Sequence, residues 1–171
     1  MANVTRLLEW IFAFYFLTRI PVTVLLDMQL LLGPLFYPPS LTEFRTWYVT
    51  KFKDPIMLEP PSWFTPFMFC EAFLQLPFFP VAAYAFWKGN CKWIRIPAII
   101  YATHVITTLL PILAYILLND FLSCKYPSPQ TVQERVTLFA VYSPYLVIPC
   151  LILCVMLFSR QYHQVEKKKK N

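Results

Sequence analysis

The chain has 171 residues, 58% of them hydrophobic and 18% aromatic, only two glycines, and a mean hydropathy of +0.52. That composition excludes an ordinary soluble domain and points to a polytopic membrane protein. At about 20 apolar residues per helical crossing the chain accommodates four spans with short connections and no separate soluble domain. The net charge of +6 is read against the membrane, and no nucleic-acid partner is expected.

The first span is expected over residues 7–32, with Glu9 at its mouth and Arg19, Pro21 and Asp27 inside it. It is too long for a signal peptide, carries internal charges and lacks a small-residue cleavage site, so it reads as a retained helix. Asn3-Val4-Thr5 fits a glycosylation sequon but lies against the membrane on the side assigned below to the cytosol, and is set aside. The connection over residues 33–62 is proline-rich and charge-balanced, and its aromatics suggest a cap over the bundle with a short interfacial helix at 41–52.

The second span, residues 63–87, is the centre of the chain, because it carries Glu71. A carboxylate at that depth costs roughly 2.5–3.5 kcal/mol on insertion scales unless paired, protonated or facing a cavity. Gln75 follows one turn later, and Pro77 and Pro80 remove backbone donors, kinking the helix and freeing carbonyls to line a pocket. A basic turn over 88–95 leads to a third span at 96–118. A polar loop at 119–135 leads to a fourth at 136–158, and residues 159–171 form a basic tail.

Nine Lys and Arg lie in the N-terminus, second connection and tail, against five in the first and third connections, so both termini are expected in the cytosol. The terminal run Lys167–Lys170 reads as an anchor to anionic lipid. Lys168 and Lys169, four and three residues from the end, also resemble a dilysine retrieval signal for the endoplasmic reticulum. Cys70, Cys150 and Cys154 fall inside spans, and Cys91 and Cys124 in loops on opposite sides, so no disulfide framework is expected. His104 stands alone in its span and His163 near the tail, which leaves no metal-binding pattern and no expected cofactor.

At 1.5 Å per residue Asp27 lies roughly 8 Å from one end of its span and Glu71 roughly 12 Å from the same face, with Thr107, Thr108, Tyr142 and Tyr145 at roughly 9–17 Å. Two carboxylates in one layer share a proton and keep a single negative charge. An aromatic cavity with that charge suits a hydrophobic amine, with Tyr145 or Phe67 adding cation–π attraction. The bland alternative is that both acids hold helices together. Arg19, eight residues or about 12 Å from Asp27, is too far for a direct contact without a kink at Pro21, and is expected instead to snorkel to water or pair with a neighbouring helix. His104 reads as a helix-interface residue, and Asp54 and Glu59 as loop and cap residues.

Asp54-Pro55, Glu59-Pro60-Pro61-Ser62-Trp63-Phe64, Cys70-Glu71, Gln75-Leu76-Pro77-Phe78-Phe79-Pro80, Cys91-Lys92-Trp93-Ile94-Arg95, Pro97-Ala98-Ile99-Ile100-Tyr101 and Val141-Tyr142-Ser143-Pro144-Tyr145-Leu146 together resemble the EXPERA family over nearly the whole chain. The family includes emopamil-binding protein, a sterol Δ8–Δ7 isomerase. The resemblance implies an all-α bundle of four kinked transmembrane helices with a cavity opening sideways into the bilayer. It implies an amine held by an aspartate in the first helix, itself bonded to a protonated glutamate in the second, at the positions of Asp27 and Glu71. Met28, Gln75, Tyr101, Thr108, Tyr142 and Tyr145 match the surrounding pocket. Also implied are cholesterol and oxysterol binding, homodimers, and modulation of cholesterol trafficking with the Niemann-Pick type C transporter. The implied location is the endoplasmic reticulum and nuclear envelope, with endolysosomal and plasma membranes as further sites. The chain departs from the family at Thr18-Arg19-Ile20-Pro21, where the pattern has a histidine before Ile-Pro, and in a shorter third connection.

Two functions follow: a non-enzymatic intramembrane receptor for amines and sterols, with no catalytic residue, or a sterol isomerase using the same acids as proton donor and acceptor. The receptor is preferred, because both acids are committed to one proton and His104 lies too far along its helix to be a second base.

Overall fold

A continuous apolar run makes the first helix, and its polar interruptions decide where it bends. In the computed structural model, which describes residues 2–121 and 127–163, α1 runs over Ala2–Val22, passes into a π-helical turn at Thr23–Asp27, and resumes as α2 over Gln29–Leu32. Pro21 lacks the N–H that would bond the carbonyl of Leu17, and such gaps are where helices kink or widen. Gly33, at φ 78°, ends the span. The second crossing repeats the device: α5 over Thr65–Cys70, a π turn over Glu71–Gln75, then α6 over Leu76–Lys88. Here Pro77 supplies the missing donor, and the π turn lies just before it.

Between these crossings lies the expected cap. Helix α3 spans Pro39–Phe52, starting two residues before the expected helix because proline is tolerated in a first turn. It turns Phe44 and Trp47 outward, half exposed and stacked, as an interfacial helix does. Helix α4, Pro55–Leu58, is N-capped by Asp54.

Helix α7, Arg95–Leu118, is the third crossing. The fourth is α8, Val132–Tyr142, and α9, Pro144–Phe158, bent by 40°. It begins four residues before the expected boundary, because Thr131 and Glu134 form a capping box. The bend falls where Pro144 leaves the Ala140 carbonyl without its donor, and the Ser143 hydroxyl bonds that carbonyl at 2.8 Å. A short α10, Arg160–His163, closes the described chain. Among the described residues there is no strand, and the cysteines Cys70, Cys91, Cys150 and Cys154 are free. Cys124 and the terminal Lys168 and Lys169 lie outside the described residues.

Helix α1 packs along α6, and α7 along α9. One core, at the end where the chain starts, centres on Phe12, Phe16, Phe86, Tyr101 and Met156. The other, under the cap, centres on Ile56, Leu113, Ile116 and Leu138. The first is closed by Glu9, which is 1% exposed. Its carboxylate accepts from the Tyr162 hydroxyl at 2.6 Å, the Asn90 amide at 3.0 Å and Arg6 at 2.9 Å. Arg6 also donates to the last carbonyls of α6, those of Phe86 and Trp87, a favourable place for a cation. The start of the chain, the turn after the second crossing and the end of the fourth thus meet at one end, so the chain crosses an even number of times and the bent pair counts as one crossing.

Gly89 sits inside this clamp at φ 75°, and a Cβ there would lie 2.0 Å from Arg6 Nη1 and 2.7 Å from Glu9 Oε2. Gly89→Ala is therefore expected to lower stability by about 1–3 kcal/mol, read as a lower thermal midpoint of the purified protein. An unchanged midpoint would mean that the clamp contributes nothing.

Candidate functional site

Between the two cores the polar groups of four crossings face one another. The two π turns position the acids: Asp27 is the last residue of the first, and Glu71 opens the second. Such turns widen the helix and recur at functional sites. Thr23, fully buried, lies between them, its hydroxyl donating to Glu71 Oε1 at 2.9 Å and standing 3.3 Å from Asp27 Oδ2.

Arg19 completes the group and corrects the sequence expectation. It does pair with a neighbouring helix, donating from Nη2 to Glu71 Oε1. It does not snorkel to water, and it is not out of reach of Asp27, whose Oδ2 lies 3.7 Å from Nη1. The 12 Å estimate counted backbone rise alone. Helical side chains lean toward the N-terminus, so Asp27 tilts back toward Arg19, while the long arginine arm reaches the other way and the π turn alters the register between them. The guanidinium carbon lies 4.8 Å from the centre of the Tyr145 ring and 5.6 Å from that of Phe79. All three charged side chains are mostly buried, 13–17% exposed.

These residues border a cavity of about 190 Å³. Asp27, Glu71, Gln75, Tyr101, Thr108, Tyr142 and Tyr145 all line it, as does Phe67. Met28 does not. It is buried in the core under the cap, because the residue after Asp27 points about 100° around the helix from it. Thr107 also faces away, exposed and bonded to its own helix at the Thr103 carbonyl. The Thr108 hydroxyl donates to the carbonyls of His104 and Val105, so what it can still offer is its oxygen as an acceptor, and its methyl. His104 is not a wall residue, and its Nε2 is buried without a partner. Among the described residues no group of three His, Cys, Asp or Glu side chains converges on a possible metal.

The pattern EXPERA (EXPanded EBP superfamily) matches residues 40–156. The chain belongs to the EXPERA family. Within it, the chain is 54% identical over 170 residues to Sigma intracellular receptor 2 of Xenopus tropicalis, covering 99% of each protein. It is 50% identical over 168 residues to Sigma intracellular receptor 2 of Homo sapiens, covering 96% of each. Efficient mitochondria targeting-associated protein 19 of Schizosaccharomyces pombe is 30% identical over 111 residues, which is 61% of this chain and 58% of that protein.

In this EXPERA chain several wall residues escaped the sequence reading, among them Tyr15, Tyr48 and Met57. Tyr15 shares a hydroxyl–hydroxyl bond of 3.0 Å with Tyr101, and its spacing of four from Arg19 on one helix face was the available signal. Tyr48 and Met57 come from the cap and close the cavity on that side. Their placement follows from Asp54, which is fully buried. One oxygen caps α4 through the amides of Ile56 and Met57 at 3.0 and 3.2 Å, and the other accepts from Tyr142 at 2.8 Å. Asp54 is thus the cap residue expected and also the tie that fixes Tyr142 in the cavity wall.

Burial pushes the Asp54 carboxyl above its ordinary value of 3.8, against the pull of the Tyr142 and backbone hydrogen bonds. The folded chain therefore holds this proton more tightly than the unfolded chain, and Asp54 contributes a loss of stability as pH rises through the interval above 3.8. Asp54→Asn, which keeps the cap acceptor, should lack that loss and stay within about 1 kcal/mol of the parent, whereas Asp54→Ala should cost about 2–3 kcal/mol. Thermal midpoints of the three proteins across a pH series check both expectations.

Proposed function

We propose that the chain is a sigma-2 receptor-like intramembrane receptor that binds hydrophobic amines and sterols in the cavity beside Asp27 and Glu71. The observation that carries this is the convergence of two intramembrane carboxylates and aromatic faces on one apolar chamber. The two carboxylates and the ring of Tyr145 are the partners that a ligand's ammonium would need, and such contacts are strong in low dielectric. Its other walls, Phe64, Met68, Leu109 and Ile112, match a lipid-like body. The name shared by these relatives, Sigma intracellular receptor 2, agrees with this.

On this reading the receptor modulates cellular cholesterol trafficking from the endoplasmic reticulum membrane, as a homodimer and in concert with the Niemann-Pick type C transporter, with both termini cytosolic. The bond from Tyr162 to Glu9, which joins the described end of the fourth crossing to the start of the first, supports the common side of the termini. Sterol Δ8–Δ7 isomerisation is the second reading, favoured by membership of a superfamily that includes an isomerase and by the presence of two acids in one apolar cavity.

The test is N,N-dimethyldodecylamine binding to the purified protein in nanodiscs, with a Δ8-sterol incubated alongside. Asp27→Asn and Glu71→Gln should each weaken amine binding by more than about tenfold while the protein remains folded, and no Δ7 product should form. Unchanged binding in both variants would overturn the receptor site. Turnover abolished by Glu71→Gln would instead establish the enzyme.

A further inference from the structure

The groups that would receive a ligand's ammonium are already occupied by one of the protein's own. Arg19 takes the hydrogen-bonding oxygen of Glu71, stands within ion-pair distance of Asp27, and lies over the ring of Tyr145. A cationic ligand would need the same two carboxylates and the same ring. The guanidinium is tethered to the wall, so it competes as an intramolecular partner, at an effective concentration no dilute ligand matches.

We propose that Arg19 is the specificity-determining residue of this cavity: it holds the cation seat against amines, while an uncharged lipid has no claim on that seat and does not compete for it. An amine binds only in the fraction of molecules whose arginine has swung away, so its apparent affinity falls by that fraction. This rests on the cavity being the amine and sterol site.

The experiment measures N,N-dimethyldodecylamine and 25-hydroxycholesterol binding to the parent, Arg19→Gln and Arg19→Lys in nanodiscs, with thermal midpoints as the folding control. Arg19→Gln should tighten the amine by about tenfold or more and leave the uncharged hydroxysterol within about twofold of the parent. Arg19→Lys keeps the charge balance, so it reports even where the glutamine variant fails to fold. Its ammonium lacks the planar fork, so the amine should tighten by a smaller factor, again with the hydroxysterol within about twofold. Folded Arg19 variants that bind both probes like the parent, or that bind the amine less tightly, would overturn the proposal. Its failure stays distinct from that of the site itself, because the latter appears as indifference of amine binding to Asp27→Asn and Glu71→Gln.

Discussion

The ion pair between Arg19 and Glu71, with Asp27 beside it, is the constraint on which the rest of the bundle depends. Each of the three groups would cost roughly 2.5–3.5 kcal/mol in the middle of a membrane helix if left alone. Together they exchange that cost for mutual attraction in low dielectric, supported by the Thr23 hydroxyl. The pairing requires the first and second crossings to meet at one depth and one rotation. Pro21 and Pro77 allow this, because the widened turns beside them bring Asp27 and Glu71 to the same layer. The helix distortions and the charged cluster are therefore one feature.

The two hydrophobic cores act as the ends of a clamp around that layer. At the chain-start end, aromatic packing of Phe16 against Phe86 and Tyr101 is sealed by Glu9, Arg6 and Tyr162. At the other end Asp54 ties the cap to Tyr142, so α3 and α4 close the cavity rather than merely connect two spans. Membership of the EXPERA family sets this cavity among proteins with related bundles, but the resident guanidinium gives this chain its own electrostatics.

Much of this was legible in the sequence. Hydropathy and the proline positions gave the crossings and their kinks, and depth counting put Asp27 and Glu71 in one layer, because helical rise is regular enough for such arithmetic. Three things were not legible. The reach of Arg19 was missed because rise per residue ignores side-chain lean and length. The outward turn of Thr107, and the departure of Met28 from the wall, depend on helix rotation, which depth counting ignores and which, beside Met28, a π turn also resets. The early start of α8 was readable in Thr131 and Glu134, since that spacing is a local capping signal. Asp54 read correctly as a cap, but its bond to Tyr142 spans 88 positions, and no local pattern carries such a contact.

The most direct test of the central pairing is a double-mutant cycle on unfolding stability, comparing Arg19→Met, Glu71→Gln and the two combined. Removing one partner leaves the other charge buried without compensation, at a cost of about 3–5 kcal/mol. The combined variant should therefore lose less than the two single losses added together, with a coupling of about 1–3 kcal/mol. Single losses that simply add in the double variant would show that Arg19 and Glu71 do not hold each other, and that the bundle rests on packing alone.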